Sequence, residues 1–365
     1  MIYLDNGATS FHKPPAVRKA VLRAMEQCAN PGRGGYAAAM KAAEQVYRCR
    51  EVAGRMFACQ PEQVVFTSNC THGLNIAIRT LVQPGDRVLI SGFEHNAVTR
   101  PLHGLNGDIM VAGRVLFDWD ELLASWEKCL KKRPKAAVFT HVSNVFGYIL
   151  PVEEMAALCR GYGVPFVLDG AQSAGVLPIS LRDLGADFVA MPGHKGLLGP
   201  QGTGILLCGK NPTPLLWGGT GSQSLDQKMP SHMPDRAEAG TLNVPGIAGL
   251  EAGMRYVMQT GMEQIFRREQ KEAQRCAAAL RDLGYQVFFG GHQAGTVSML
   301  PREDCEVFAQ KMAERGVALR AGLHCAPLAH ESAGTVATGT VRISFGHDAN
   351  PCQTKAFLQR ILPLS

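Results

Sequence analysis

Short apolar runs recur through the first two-thirds of the chain, at 63–67, 87–90, 136–140, 166–168, 188–191 and 204–207. Their unbroken apolar character predicts strands covered on both faces, as in a parallel sheet. The stretches between them carry a helical period instead. In 152–162, Val152, Met155, Leu158 and Cys159 fall on one face of a helix. Strand and helix patterns in alternation predict an α/β sandwich. Long helical patterns at 247–259 and 263–283 then give way to shorter mixed elements. We expect a large domain at 15–250 and a smaller α+β domain at 251–365, joined by the N-terminal segment 1–14. No internal repeat or low-complexity tract interrupts this order.

Two of the predicted strands end in residues with chemistry to offer. The 164–168 run closes on Asp169, followed by Gly170, Ala171 and Gln172, and the 188–191 run closes on Pro192-Gly193-His194-Lys195-Gly196. Ligands of open α/β sheets sit outside the carboxyl ends of the strands. Alone, Lys195 also reads as a solvated loop lysine and Asp169 as a helix N-cap. Together, 26 residues apart behind successive apolar runs, they suit one βαβ unit presenting both to a single ring. A lysine kept neutral traps a carbonyl as a Schiff base, and a carboxylate keeps a pyridine nitrogen protonated. That pairing points to pyridoxal 5'-phosphate.

The rest of such a site can be read at other strand ends. The segment 66–74 is an apolar strand, a polar turn containing Cys70 and Thr71, and a helix carrying Leu74, Ile78 and Leu81. It supplies the free amides of a helix N-terminus for a phosphate, although an ordinary capped helix reads the same way. His95, Asn144 and Gln172 follow equivalent runs, where turn and cap roles compete with ligand contacts. The 320–327 segment has no apolar period and reads as a loop. Cys325 there, near His324 and Arg320, is placed to be a thiolate, unless it is one more buried cysteine.

The ordered motifs Tyr3-Leu4-Asp5-Asn6-Gly7-Ala8-Thr9, Thr140-His141-Val142-Ser143-Asn144, Asp169-Gly170-Ala171-Gln172, Gly193-His194-Lys195 and Arg320-Ala321-Gly322-Leu323-His324-Cys325 span nearly the whole chain. In these the sequence resembles the class V aminotransferases, fold type I pyridoxal-phosphate enzymes, and within them the cysteine desulfurases. The resemblance implies a mostly parallel sheet in an αβα sandwich. It implies that Lys195 holds the cofactor and carries the Cα proton, that Asp169 faces the ring nitrogen, and that His95 stacks on the ring. Cys70, Thr71 and His194 would lie at the phosphate, and Asn144 and Gln172 at the ring hydroxyl or substrate carboxylate. Arg342 would clamp that carboxylate in a bidentate manner, with Arg320 and His324 beside it, and Cys325 would attack the substrate sulfur. Glu238-Ala239-Gly240-Thr241 resembles the segment that reaches a partner subunit's phosphate, which implies a homodimer and a cofactor contact from Thr241. Asn69, Cys70 and His72 depart from the family's Gly-Thr-Thr-Glu-Gly-like turn, Pro192 stands where a serine is usual, and Leu242 replaces a proline.

The expected activity is conversion of L-cysteine to L-alanine, leaving a persulfide for an acceptor protein or thiol. A selenocysteine lyase, an ordinary class V aminotransferase and a noncatalytic scaffold are the competing readings. Composition narrows the remainder. A chain of 365 residues, 46% hydrophobic and 19% charged, is long enough for a large core. Its net charge of +6 and its single short basic run, Lys131-Lys132-Arg133, argue against a nucleic-acid partner. No basic leader precedes an apolar run, and no stretch of about eighteen apolar residues occurs. We therefore expect a cytoplasmic protein with no membrane partner. The 11 cysteines are scattered, without a Cys-x-x-Cys pair, so neither a disulfide framework nor a metal site is expected.

Overall fold

The computed structural model describes residues 1–32 and 34–362. It opens with a two-residue strand, β1 (Ile2–Tyr3), and then builds a seven-stranded sheet from the apolar runs. These are β2 (Val64–Thr67), β3 (Arg87–Ser91), β4 (Asp108–Ala112), β5 (Ala136–Thr140), β6 (Phe166–Asp169), β7 (Phe188–Pro192) and β8 (Gly204–Cys208), in the order β2-β8-β7-β6-β5-β3-β4. From β7 to β4 all neighbours are parallel, and β8 alone runs antiparallel to both strands beside it. Six of the seven strands stand at the predicted runs. The seventh, β4, is a half-buried edge strand with an exposed first residue, and its mixed Asp-Ile-Met-Val-Ala run shows neither alternation nor full apolarity.

Successive residues of each strand feed two separate cores. Val64, Phe66, Leu89, Phe139, Leu168 and Val189 point to one side, where the helices Ala37–Phe57, Trp119–Leu130, Val152–Gly161 and Val244–Thr260 pack. Val65, Val88, Ile90, Val138, Val167 and Ala190 point to the other, against the helices Cys70–Leu81 and Asn96–Gly104. The two-residue period of a strand therefore makes the αβα sandwich directly. β5, β6, β7 and β8 are buried throughout, as continuous apolar runs require.

The C-terminal part forms a four-stranded antiparallel sheet, ordered β12-β13-β10-β9. Its strands are β9 (Gln286–Phe288), β10 (Thr296–Leu300), β12 (Arg320–Gly322) and β13 (Thr340–Ser344), while β11 (Val317–Ala318) pairs in parallel with β1. The helices Val244–Thr260 and Met262–Asp282 precede this sheet. They meet at Gly261, whose φ of 89° lets the chain change direction. One expectation is corrected here. Arg320–Gly322, read as loop, is a short strand paired with β13; three residues, one of them glycine, are too few to show a period. No helix among the described residues is long and apolar enough to cross a membrane.

A buried ion pair fixes the outer edge of the large sheet. Arg50 and Glu238 are 5% and 8% exposed. Arg50 Nη1 and Nη2 donate to the Glu238 carboxylate at 2.9 and 2.6 Å, and the Phe66 amide donates to the same group at 2.6 Å. Glu238, at the start of the segment 238–241, thus faces the core of its own chain and holds β2. Removing one member of such a pair leaves the other charge buried and alone, a loss of about 3–5 kcal/mol. Glu238→Ala should lower unfolding stability in urea by that amount, whereas a change within about 0.5 kcal/mol would show that the pair is not needed.

Candidate active site

The carboxyl ends of β2, β3, β5, β6 and β7 lie along one edge of the sheet, because β8 alone is reversed. The turns leaving these strands surround a cavity of about 310 Å³. Lys195, Asp169, His95, Asn144, Gln172, His194, Cys70, Thr71, Arg320, His324, Cys325 and Arg342 all line it. Of the residues predicted for the site, only Thr241 stands apart, exposed on the surface.

Lys195 sits in the tight turn that follows β7. The turn presses so closely on the preceding loop that a Cβ on Gly196 would stand 2.4 Å from the Ala174 carbonyl oxygen. The N-terminal segment holds it from the other side. Ser10 Oγ donates to the carbonyls of His194 and Lys195 at 3.0 and 3.1 Å, and Lys13 Nζ donates to that of His194 at 2.9 Å. His194 Nδ1 meets Thr9 Oγ1 at 3.0 Å. Burial, and then the charge of Arg342, lower the Lys195 pKa from its usual value, which favours a free amine.

Asp169 ends β6 at 2% exposure. Its Oδ1 accepts from the Ala171 amide at 2.9 Å and from Cys70 Sγ at 3.4 Å. Burial raises the carboxyl pKa, and the Ala171 amide, the Lys195 charge and the Cys70 thiol pull it back. Cys70 is therefore a donor to Asp169, and its own thiol pKa is pushed far up by burial and by that carboxylate. Asn69 caps the helix Cys70–Leu81 by accepting from the His72 amide at 2.9 Å. The amides of Cys70 and Thr71 have no partner among the described residues.

His95 caps the next helix. Its Nδ1 accepts from the Ala97 amide at 3.0 Å, which leaves the ring proton on Nε2. Burial and the charge of Lys195 push its pKa down to about 4, so the imidazole is neutral at physiological pH. Gln172 Nε2 donates to the Gly7 carbonyl at 3.0 Å, so half of its amide is spent on the N-terminal segment.

Arg342 lies on β13 at 2% exposure. Nη2 donates to Asp5 Oδ1 at 2.7 Å and Nη1 to the Asn144 carbonyl at 3.0 Å. Asp5 Oδ2 accepts twice from Arg320, each at 3.1 Å. One carboxylate thus fixes both arginines. Asn144 Nδ2 donates to the His324 carbonyl at 2.8 Å, and the Asn96 amide to the Cys325 carbonyl at 2.7 Å. These two bonds tie the Cys325 turn to the large sheet. His324 and Cys325 both adopt left-handed backbone, with φ of 50° and 56°, a strained conformation for residues with a Cβ. The result is an exposed Cys325 beside a buried His324. His324 Nε2 faces the Thr340 carbonyl at 3.1 Å, which fixes the proton there. Burial and Arg342 lower its pKa to about 3. His324 beside Cys325 is therefore neutral, and Arg320 is engaged with Asp5.

Several wall atoms are unsatisfied. Arg342 Nε, Asn144 Oδ1 and His324 Nδ1 are buried without a partner, although native folds pair nearly all such groups. Arg342 Nε and the free amides of Cys70 and Thr71 are donors suited to an anionic ligand, while Asn144 Oδ1 and His324 Nδ1 are acceptors for a hydroxyl or amine. This donor set fits a phosphorylated pyridine with an amino-acid carboxylate beside it. The sequence over residues 2–357 matches the family described as Aminotransferase class-V. The chain belongs to the class V aminotransferase family. Among its relatives is the "Probable cysteine desulfurase" of Pyrococcus abyssi, 31% identical across 94% of this chain and 89% of that protein. The cysteine desulfurase of Pectobacterium atrosepticum is 31% identical across 89% and 84% of the two chains. The solved apo structure of the cysteine desulfurase from Thermococcus onnurineus superposes with a TM-score of 0.90 at 30% identity, covering 100% of this chain and 94% of that one.

For a class V aminotransferase, the site also contains residues that sequence reasoning passed over. Asp5 and Thr9 stand out only as part of a motif, and Ser10 and Lys13 not at all, because their contacts lie more than 180 residues away. Hydrogen bonds to charged groups contribute about 1.5–3 kcal/mol. Asp5→Asn should therefore loosen Arg342 and raise KM for an amino-acid substrate about tenfold or more, with cofactor absorbance retained. An unchanged KM would remove Asp5 from the clamp.

Proposed function

We propose that this chain is a pyridoxal-phosphate-dependent cysteine desulfurase that takes the sulfur of L-cysteine onto Cys325 and releases L-alanine. The observation that carries this reading is the exposed Cys325 in one cavity with Lys195, Asp169 and Arg342. Relatives bearing that name over most of the chain support it.

Pyridoxal phosphate, when bound, supplies an electron sink for the pair left at the substrate Cα. Lys195 Nζ holds it and, as a free amine, moves the Cα proton. Asp169, as a carboxylate, would keep the ring nitrogen protonated, and the neutral His95, with its proton on Nε2, would help hold the ring. Thr71, His194 and the amides of Cys70 and Thr71 would hold the phosphate. Arg342, held by Asp5, takes the substrate carboxylate, with Asn144 and Gln172 alongside. Cys325 attacks the substrate sulfur. A sulfur–sulfur bond forms, the Cβ–sulfur bond breaks with its electron pair on carbon, and the hydrogen lost by Cys325 ends in the methyl group of alanine.

The resulting persulfide lies on an exposed turn, open to an acceptor protein or a small thiol. Thr241, exposed in its own chain, reaches the phosphate of a second copy in a homodimer. The protein works in the cytoplasm, as its plain soluble composition suggests.

The test compares Cys325→Ala, Lys195→Ala and the wild type, following visible cofactor absorbance and alanine release from L-cysteine. Cys325→Ala should keep the absorbance and lose alanine and sulfide formation by about 10³-fold or more. Lys195→Ala should fail to hold the cofactor covalently. Undiminished sulfide release by Cys325→Ala would overturn the persulfide role, and a wild type that takes up no cofactor would overturn the whole reading.

A further inference from the structure

Glu94 precedes His95 and is wholly buried, at 0% exposure. Its two oxygens differ. Oε1 accepts from Ser91 Oγ and, at 3.0 Å, from the Thr140 amide. Oε2 is enclosed and has no partner. Ser91 is the last residue of β3 and Thr140 the last of β5. Thr140 is also the cross-strand partner of Asp169. One carboxyl group therefore pins together two strand ends, at the root of the turn that carries His95 and one strand away from Asp169.

An ionised carboxylate needs donors on both oxygens or solvent, and Oε2 has neither. A proton on Oε2 removes the charge and leaves Oε1 free to accept both bonds. We propose that Glu94 is a neutral carboxylic acid that positions His95 and Asp169 by clamping the end of β3 to the end of β5. The proposal rests on the cofactor reading of this edge only for its functional consequence.

The electrostatic surroundings agree. Burial raises the Glu94 pKa to about 8, and the negative charge of Asp169 adds to that rise. Asp169, on β6, is the charged group that acts on it; Ser91 on β3 and Thr140 on β5 do not ionise, and their hydrogen bonds pull the pKa down without offsetting the burial. His95 and His141, at the neighbouring strand ends, are neutral, with pKa values lowered to about 4 by burial. Above the Glu94 pKa, a second negative charge would appear beside Asp169 and loosen the clamp.

The folded pKa lies above the ordinary value of 4.5, so the folded chain binds this proton more tightly than the unfolded one. The stabilisation is complete below pH 4.5 and is lost as pH rises towards about 8.

Glu94→Gln keeps the Oε1 acceptor and is neutral at every pH. In urea unfolding of the cofactor-free chain, the folding equilibrium of the wild type should fall relative to Glu94→Gln by up to about a thousandfold between pH 4.5 and 8. Parallel pH curves would mean that Glu94 is charged in the fold, and the proposal would fail. Ser91→Ala removes one leg of the clamp without burying a new polar group. With pyridoxal phosphate bound and no cysteine present, Glu94→Gln should match the wild-type absorbance at pH 7, and Ser91→Ala should shift it. Identical spectra for all three would show that the clamp positions nothing. Neither measurement depends on desulfuration, so the failure of one reading is separable from the failure of the other.

Discussion

The site depends on one carboxylate that bridges the two ends of the chain. Asp5 accepts from Arg342 on one oxygen and from Arg320 on the other, and it does so from a segment stitched to β13 by the Ser344 amide on the Leu4 carbonyl at 2.8 Å. Arg342 is nearly inaccessible to water, and a guanidinium buried without a counter-charge would cost several kcal/mol. Asp5 meets that cost and leaves Nε unpaired at the cavity wall. A fixed internal carboxylate thus holds the guanidinium in place with one donor left unused. The same segment continues to Ser10 and Lys13, which grip the turn of Lys195. Fourteen or so residues therefore set the position of both the cationic clamp and the reactive amine.

The sheet supplies the remaining constraint. Because β8 is the one reversed strand, the ends of the other strands all open on one edge, and the turns after them bring together residues far apart in sequence. These turns are locked by local devices. Asn69 and His95 cap helices, Glu94 joins β3 to β5, and Asp169 takes two donors. Two of these are helix caps within one turn, and two reach across the sheet, from Glu94 to Thr140 and from Asp169 to Cys70, so a rigid edge is built from turns instead of long elements.

How much could be read beforehand follows from the range of each interaction. Continuous apolar runs identified six of the seven strands of the large sheet, and the strand ends pointed to Lys195, Asp169, His95 and Asn144, because strand-end position is a local property. The edge strand β4 and the three-residue β12 escaped, since neither carries a period. The partners of Arg342 escaped as well. Nothing near Asp5 in sequence indicates a contact 337 residues away. The neutrality of His324 was not legible either: it comes from burial and the nearby Arg342 charge, which outweigh the Thr340 hydrogen bond, and only the folded chain displays them.

Charge is sparse in this cavity, and its placement says what the site is prepared for. His95 and His324 are neutral, and Cys70 is an undissociated donor. The fixed anions, Asp5 and Asp169, each face groups that stabilise them, and the Lys195 amine is driven towards neutrality by its surroundings. An anion entering at the start of the helix Cys70–Leu81 therefore meets free amides and the helix dipole in place of a formal cation. An anion entering at β13 meets a guanidinium with an unused donor. The two anion-accepting places thus differ in kind, one built of amides and a helix dipole and one of a guanidinium, with a near-neutral amine in the same cavity. Cys325 is carried on a strained turn, tethered by the Asn96 amide and Asn144. The tether lets its thiol stand in the cavity while remaining exposed, which a sulfur carrier must do if it is to collect at one partner and deliver to another.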